Sequence, residues 1–172
     1  MLVQAAQHIS AGEVVYCLVR DKNRGARNRL DEIALAHGVP HDRCVMVPGI
    51  LDAEGFGLED GPRNKLAASV GKVIHCAAMV NLSIGRKEML DWSAPRICTV
   101  LQYFCDADAD LRLSSSSAVF PGPGGPWPEA PASTRADIKG DGAAKTAADE
   151  AIRTAGIPAV IARKGPLRLV SI

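Results

Sequence analysis

Aromatic residues make up only 4% of these 172 residues, and the formal net charge is +1. A nucleic-acid surface needs a concentration of basic residues, so both scarcities argue against that class of partner. No run of apolar residues approaches the roughly 18 that cross a bilayer, and no membrane span is expected. The opening MLVQAAQHIS has neither a basic stretch nor a cleavage site, so no secretory signal is read. None of the five cysteines (Cys17, Cys44, Cys76, Cys98 and Cys105) forms a C-x-x-C pair, and the ligand spacings of zinc sites are missing. Several lie in apolar, strand-like runs, where a free thiol packs as a small hydrophobe. That usage fits a reducing, cytoplasmic compartment. His37 and His41 are four apart, but Gly38 and Pro40 between them break the helix that would align two imidazoles.

Nearly half of the residues are apolar, enough for the core of one domain, and the domain is expected over residues 1–172. Apolar runs alternate with helical patterns. Strands are expected over 14–19, 44–47, 72–76, 111–115 and 159–162. Helices are expected over 27–36, with Gly38 capping its end, over 63–70, over 93–105 with Pro95 in the first turn, and over 143–155, ended by Gly156. Strands separated by helices predict an α/β fold with a parallel sheet and helices on both faces. The unbroken apolar run VVYCLV fits a strand buried on both sides.

The front of the chain departs from this pattern. It opens in a helix-like segment, 2–9, with no strand before it. In a doubly wound fold the first strand is central, and the glycine-rich turn after it presents N–H groups to a pyrophosphate. No G-x-G-x-x-G occurs. The loop PGPGGP at 121–126 is no substitute, because its prolines remove donors and it does not lead from a strand straight into a helix.

Six segments resemble, in order, the landmarks of thioester-reductase domains, a branch of the extended short-chain dehydrogenase/reductases. VVYCLVR resembles that family's second strand, VPGIL its third, and VIHCAAMVN its fourth-strand motif. SSSSAVF resembles the strand presenting a catalytic Ser or Thr. GDGAAK falls at the Tyr-x-x-x-Lys pair, and IARKG at Arg-Pro-Gly. The resemblance implies a Rossmann-like sheet whose first strand and glycine-rich turn are missing, with NADP as cofactor. The implied reaction is hydride transfer to an acyl thioester held on a carrier protein or coenzyme A. The missing strand would leave two unpaired strand edges, so self-association is also expected.

The resemblance also implies roles for single residues. Arg20, ending the second strand, would meet the extra phosphate of NADP. Leu51 falls at a cofactor-contacting position after the third strand, and Ala77 and Ala78 would let the backbone approach the cofactor. Ser116, with Ser115 as the alternate register, would polarise the substrate carbonyl. Lys145 would bond the nicotinamide ribose. Asp141 occupies the place of the catalytic tyrosine. An ionised aspartate cannot donate a proton and opposes a forming oxyanion; it could instead pair with Lys145 four residues on. Ile50, Pro95 and Lys164 depart from the family's aspartate, asparagine and proline. The expected function is therefore a partial, impaired NADPH-dependent thioester reductase. A non-catalytic scaffold and a sugar epimerase or dehydratase are the alternatives.

Overall fold

A computed structural model describes Ala5 and residues 9–20, 25–79, 83–116, 119–120 and 140–164, with the backbone alone for 104–106 and 164. Among the described residues, five strands alternate with helices in chain order: β1 Val15–Val19, α1 Ala26–Ala36, β2 Cys44–Pro48, α2 Asp60–Ser69, β3 Lys72–His75, α3 Arg86–Ala107, β4 Asp110–Ser116, α4 Gly140–Ala155 and β5 Ala159–Lys164. The pairing among them is parallel. β1 pairs with β2, and β4 lies between β3 and β5. The parallel α/β expectation is met, but the strands form two sheets rather than one. Among the described residues no ladder joins β1 to β3. The chain correspondingly divides into two compact units, Met1–Leu58 and Glu59–Ile172. Of the expected opening helix, only Ala5, which is helical, and Ile9, where the chain bends, are described.

In the first unit, α1 ends as its sequence dictates. Gly38 takes φ 65°, a conformation that costs glycine nothing. The Gly38 N–H donates to the Leu35 carbonyl at 3.1 Å, and the Val39 N–H to the Ala34 carbonyl at 2.9 Å. These are the two bonds of a Schellman cap. The cap turns Val39 inward, where it packs with Ala34, Cys44 and Val15. Cys17 is half-buried, and burial pushes its thiol up to about 11, so it stays protonated and unreactive at neutral pH. The other face of this small sheet is open. Tyr16, Leu18 and Val45 are exposed, so β1 is not covered on both sides as its apolar run predicted.

After β2 the chain crosses itself closely at Gly49. A Cβ added there would stand 2.6 Å from Leu18 Cδ1 and 2.9 Å from the Phe56 carbonyl oxygen. That oxygen cannot retreat easily, because it accepts the Ile50 N–H at 2.8 Å. Gly49→Ala should therefore destabilise the chain by about 1–3 kcal/mol, the usual cost of overpacking. A thermal melt of the variant indistinguishable from the parent would contradict this.

The second unit is built around β4. Its burial alternates, with Leu111 and Leu113 at 0% and 2% exposure, as expected of a central strand with one face packed under a helix. Ala144, Ala148 and Ile152 recur at four-residue spacing along α4 and are all buried. Burying a side chain the size of Ile152 contributes roughly 1.5–3 kcal/mol. α3 packs along α4 and buries Met89, Ile97, Val100 and Tyr103. Gly156 ends α4 at φ 66°, as anticipated.

α3 corrects the sequence reading. It starts at Arg86, so Pro95 sits in the helix interior and not in its first turn. The Asp91 carbonyl loses its partner as a result, since proline has no N–H. Side chains supply other bonds on this stretch: Arg96 donates to the Trp92 carbonyl, and the Thr99 hydroxyl to the Pro95 carbonyl at 3.0 Å. The long apolar face that runs from Met89 into α4 holds the helix through the proline. Among the described residues no helix is long and apolar enough to cross a membrane.

Candidate active site

Parallel strands bring their carboxyl ends to one edge of a sheet, and the loops leaving them define where ligands bind in open α/β folds. In the second unit that edge carries His75 at the end of β3, the exposed Ala77 and Ala78 that follow it, and Ser114–Ser116 at the end of β4. The start of α4 faces the same place with Asp141 and Lys145. One cleft gathers His75, Ala77, Ala78, Asp141 and Lys145, with Trp92 and Arg96 from α3 on its other side.

Lys145 is the best-fixed group in the cleft. Its ammonium donates to the Ser114 carbonyl at 2.9 Å, which ties α4 to the end of β4. Burial lowers its pKa from the ordinary lysine value, and Asp141 and Cys76 work against that shift. His75 responds more strongly. Burial, reinforced by the nearby Lys145 cation, drives its pKa down to about 4. The imidazole is therefore neutral at physiological pH.

Asp141 stands in the first turn of α4, one turn before Lys145 on the same face. No ion pair within 4 Å joins the two, in contrast to the expected i, i+4 pair. Lys145 is turned toward the strand carbonyl instead. The carboxylate acts on Lys145 through space.

Ser116 and Ser115 both close β4, but neither lines the cleft. Ser115 is 5% exposed, and its hydroxyl has no hydrogen-bond partner. It faces the same side as Leu113, which does line the cleft. Ser116 is half-buried on the opposite face. Arg20 and Leu51 lie in the first unit, Arg20 exposed just past β1 and Leu51 half-buried in the turn after β2. The PGPGGP loop and Ser117 lie outside the described residues.

Trp92 and Arg96 went unread because the sequence expectation started their helix at residue 93. A helix from Arg86 puts them at i, i+4, and the Arg96 guanidinium lies 3.8 Å above the centre of the Trp92 ring. The apolar Met79, Met89 and Leu113 complete the cleft wall.

The residues fit a dinucleotide only in part. Lys145 and the small Ala77 and Ala78 have the chemistry for a nicotinamide ribose. Among the described residues, however, no glycine-rich strand-to-helix turn offers N–H groups to a pyrophosphate. The cleft's cavity volume is about 30 Å³, against about 10–15 Å³ for one water-sized group.

A profile for an NAD-binding family described as "Male sterility protein" matches residues 6–165. No curated protein sequence matches the chain. Among solved structures, the chain superposes on the terminal reductase domain of the myxalamid polyketide–peptide synthetase pathway with a TM-score of 0.80 and 23% identity, covering 95% of this chain and 44% of that one. The reductase domain of a non-ribosomal peptide synthetase from Mycobacterium tuberculosis gives a TM-score of 0.74 at 19% identity, with 95% and 44% covered. A dTDP-glucose 4,6-dehydratase double mutant from Streptomyces venezuelae, solved with NAD bound, gives 0.61 at 20% identity, with 94% and 49% covered. The chain thus spans less than half the length of these structures.

Proposed function

The chain belongs to the NAD-binding family described as male sterility protein, and on that premise we propose that residues 1–172 form part of one nucleotide-binding domain of a thioester reductase, impaired in proton donation. The likeness to reductase domains supports a reading within the thioester-reducing branch of the extended short-chain dehydrogenase/reductases. The family's nicotinamide cofactor supplies a hydride when bound. The acyl thioester would arrive on a carrier protein or on coenzyme A. Of the two registers, Ser115, on the same face of β4 as the cleft-lining Leu113, and not Ser116 on the opposite face, would polarise the acyl carbonyl.

The observation that carries this reading is the joint position of Lys145 and Asp141. The lysine sits at the strand end on the Ser114 carbonyl, where a ribose contact belongs. The aspartate lines the same cleft, where a tyrosine would donate a proton. A carboxylate there opposes the negative charge that reduction creates on the substrate oxygen. Loss of a positioned general acid costs typically 10²–10⁴ in rate.

The test follows NADPH oxidation by absorbance with a short acyl-coenzyme A thioester, and cofactor binding by calorimetry. The 172-residue chain should show no substrate-dependent turnover and binding weaker than micromolar. Residual binding should favour NADPH over NADH and lose that preference in Arg20→Ala. Asp141→Tyr alone should not restore turnover, because the pyrophosphate remains uncradled. Turnover by the unmodified chain that disappears in Ser115→Ala and Lys145→Ala would refute the impaired reading.

A further inference from the structure

We propose that Lys145 and Asp141 form a carbonyl-capturing pair: the Lys145 amine condenses with a small aliphatic aldehyde in the cleft of the second unit to give an imine, and Asp141 carries the protons. This activity uses no nicotinamide cofactor and does not depend on the thioester-reductase reading.

The fold positions the nucleophile. Lys145 stands in the second turn of α4 and lines the cleft, and its Nζ donates to the Ser114 carbonyl at 2.9 Å. That bond needs a single N–H, which a neutral amine still supplies. Deprotonation therefore breaks no hydrogen bond and opens a lone pair, while the end of β4 keeps Nζ in place. Burial favours the neutral form. A lysine desolvated beside apolar walls is an activated nucleophile toward a carbonyl carbon. The walls define the partner. Met79, Met89 and Leu113 offer apolar surface to a short aliphatic chain, and the methionines are pliable. Ser115 is 5% exposed, lies on the Leu113 side of β4, and has a hydroxyl without a hydrogen-bond partner. The oxygen of a bound aldehyde would be its acceptor.

The proton carrier stands on the same helix face. Asp141 lines the cleft one turn before Lys145, and its carboxylate acts on the ammonium without being locked to it. Asp141 takes one proton from the ammonium. The free amine adds to the aldehyde carbon; the C–N bond forms as the carbonyl π pair moves to oxygen, and the Asp141 acid returns its proton to that oxygen. Asp141 then takes a proton from the carbinolamine nitrogen. The nitrogen lone pair expels the hydroxyl group, which leaves as water with the proton from Asp141. Ammonium and aldehyde thus become a protonated imine and one water, with nothing oxidised or reduced and the carboxylate restored.

The test treats the 172-residue chain at neutral pH with dilute butanal and sodium cyanoborohydride, which reduces imines and leaves free aldehyde intact. Peptide mapping by mass spectrometry then compares butylation at Lys145 with that at Lys65 and Lys72, which are exposed. Lys145 should be modified about tenfold faster, within what a positioned proton carrier contributes. Asp141→Asn should lower that ratio by about tenfold, even though loss of the carboxylate leaves more of the amine unprotonated. If Asp141 acted by charge alone, the same variant would be labelled faster. Lys145→Arg, which keeps a donor for the Ser114 carbonyl, should lose the fast-labelled position and leave the surface lysines unchanged. A ratio near one, a ratio that holds or rises in Asp141→Asn, or an equal ratio with glyceraldehyde, a polar aldehyde of similar size, would overturn the proposal.

Discussion

Replacing Asp149 with alanine is expected to cost the fold about 3–5 kcal/mol, the range for breaking a buried ion pair from one side. Asp149 is fully buried on α4. Its two oxygens divide between two arginines: Arg153 Nε donates to one at 2.6 Å, and Arg163 of β5 donates to the other. The Arg153 side chain is 45% exposed, whereas that of Arg163 is 13% exposed. Water therefore reaches Arg153 more readily than Arg163. Arg163 also lies 5.3 Å over the Phe120 ring, so the pair fixes β5 against both α4 and the segment after β4. Urea unfolding of Asp149→Ala measures the loss. The double variant Asp149→Leu, Arg163→Met should recover most of it, because no charge is then stranded. A loss below about 1 kcal/mol in the single variant would show that the bridge carries no structural weight.

Acidification should weaken the fold through His75 before most carboxylates titrate. The folded protein holds His75 at about 4, against an ordinary value of 6.5. Above pH 6.5 the imidazole is neutral in both folded and unfolded states and makes no difference to stability. Between pH 6.5 and 4 the unfolded chain takes up a proton that the folded chain refuses. Stability therefore falls as pH falls through this window, and levels off once the folded form protonates below 4. At about 1.4 kcal/mol per pH unit, the full effect approaches about 3 kcal/mol. Melting temperatures of the parent and of His75→Asn should converge in shape above pH 7 and diverge between 6.5 and 4, with the parent falling more steeply. Parallel curves would mean that His75 is not held neutral. Since Lys145 contributes to the shift, Lys145→Met should lessen the parent's slope.

Most of the fold could be read from residue pattern alone. The runs at Val15, Cys44, Val73 and Leu111 became strands within one or two residues of expectation, because parallel strands under helices are made of continuous apolar chain. Gly38 and Gly156 marked helix ends for a backbone reason that sequence states directly. Pro95 misled, because a proline predicts a helix start more readily than an interior kink, and only the packing of Met89 and Ile97 decides otherwise. Asp141 and Lys145 are singled out by the resemblance of GDGAAK to the Tyr-x-x-x-Lys pair, and the helix, which begins at Gly140, puts both on one face. The site was not legible where the third dimension did the work. Nothing in the local run DEAIR marks its Asp149 as sealed by an arginine from a later strand. Trp92 and Arg96 looked unremarkable until the helix register stacked them, and the division into two sheets could not be seen in any local run.

The parallel order of the second sheet also bears on how fast it can form. β4 pairs Lys72 with Asp110 on one side and Leu111 with Ala159 on the other, so neither partner is local in the chain. Each ladder must wait for a long segment to fold back, and closing such a loop costs entropy before any pairing repays it. Proteins ruled by distant contacts fold slowly. During that wait, Leu111, Leu113 and the serines beyond them are an exposed strand with no neighbour. The central strand that gives the native unit its core thus depends on distant segments for its cover, and refolding yield should depend on dilution.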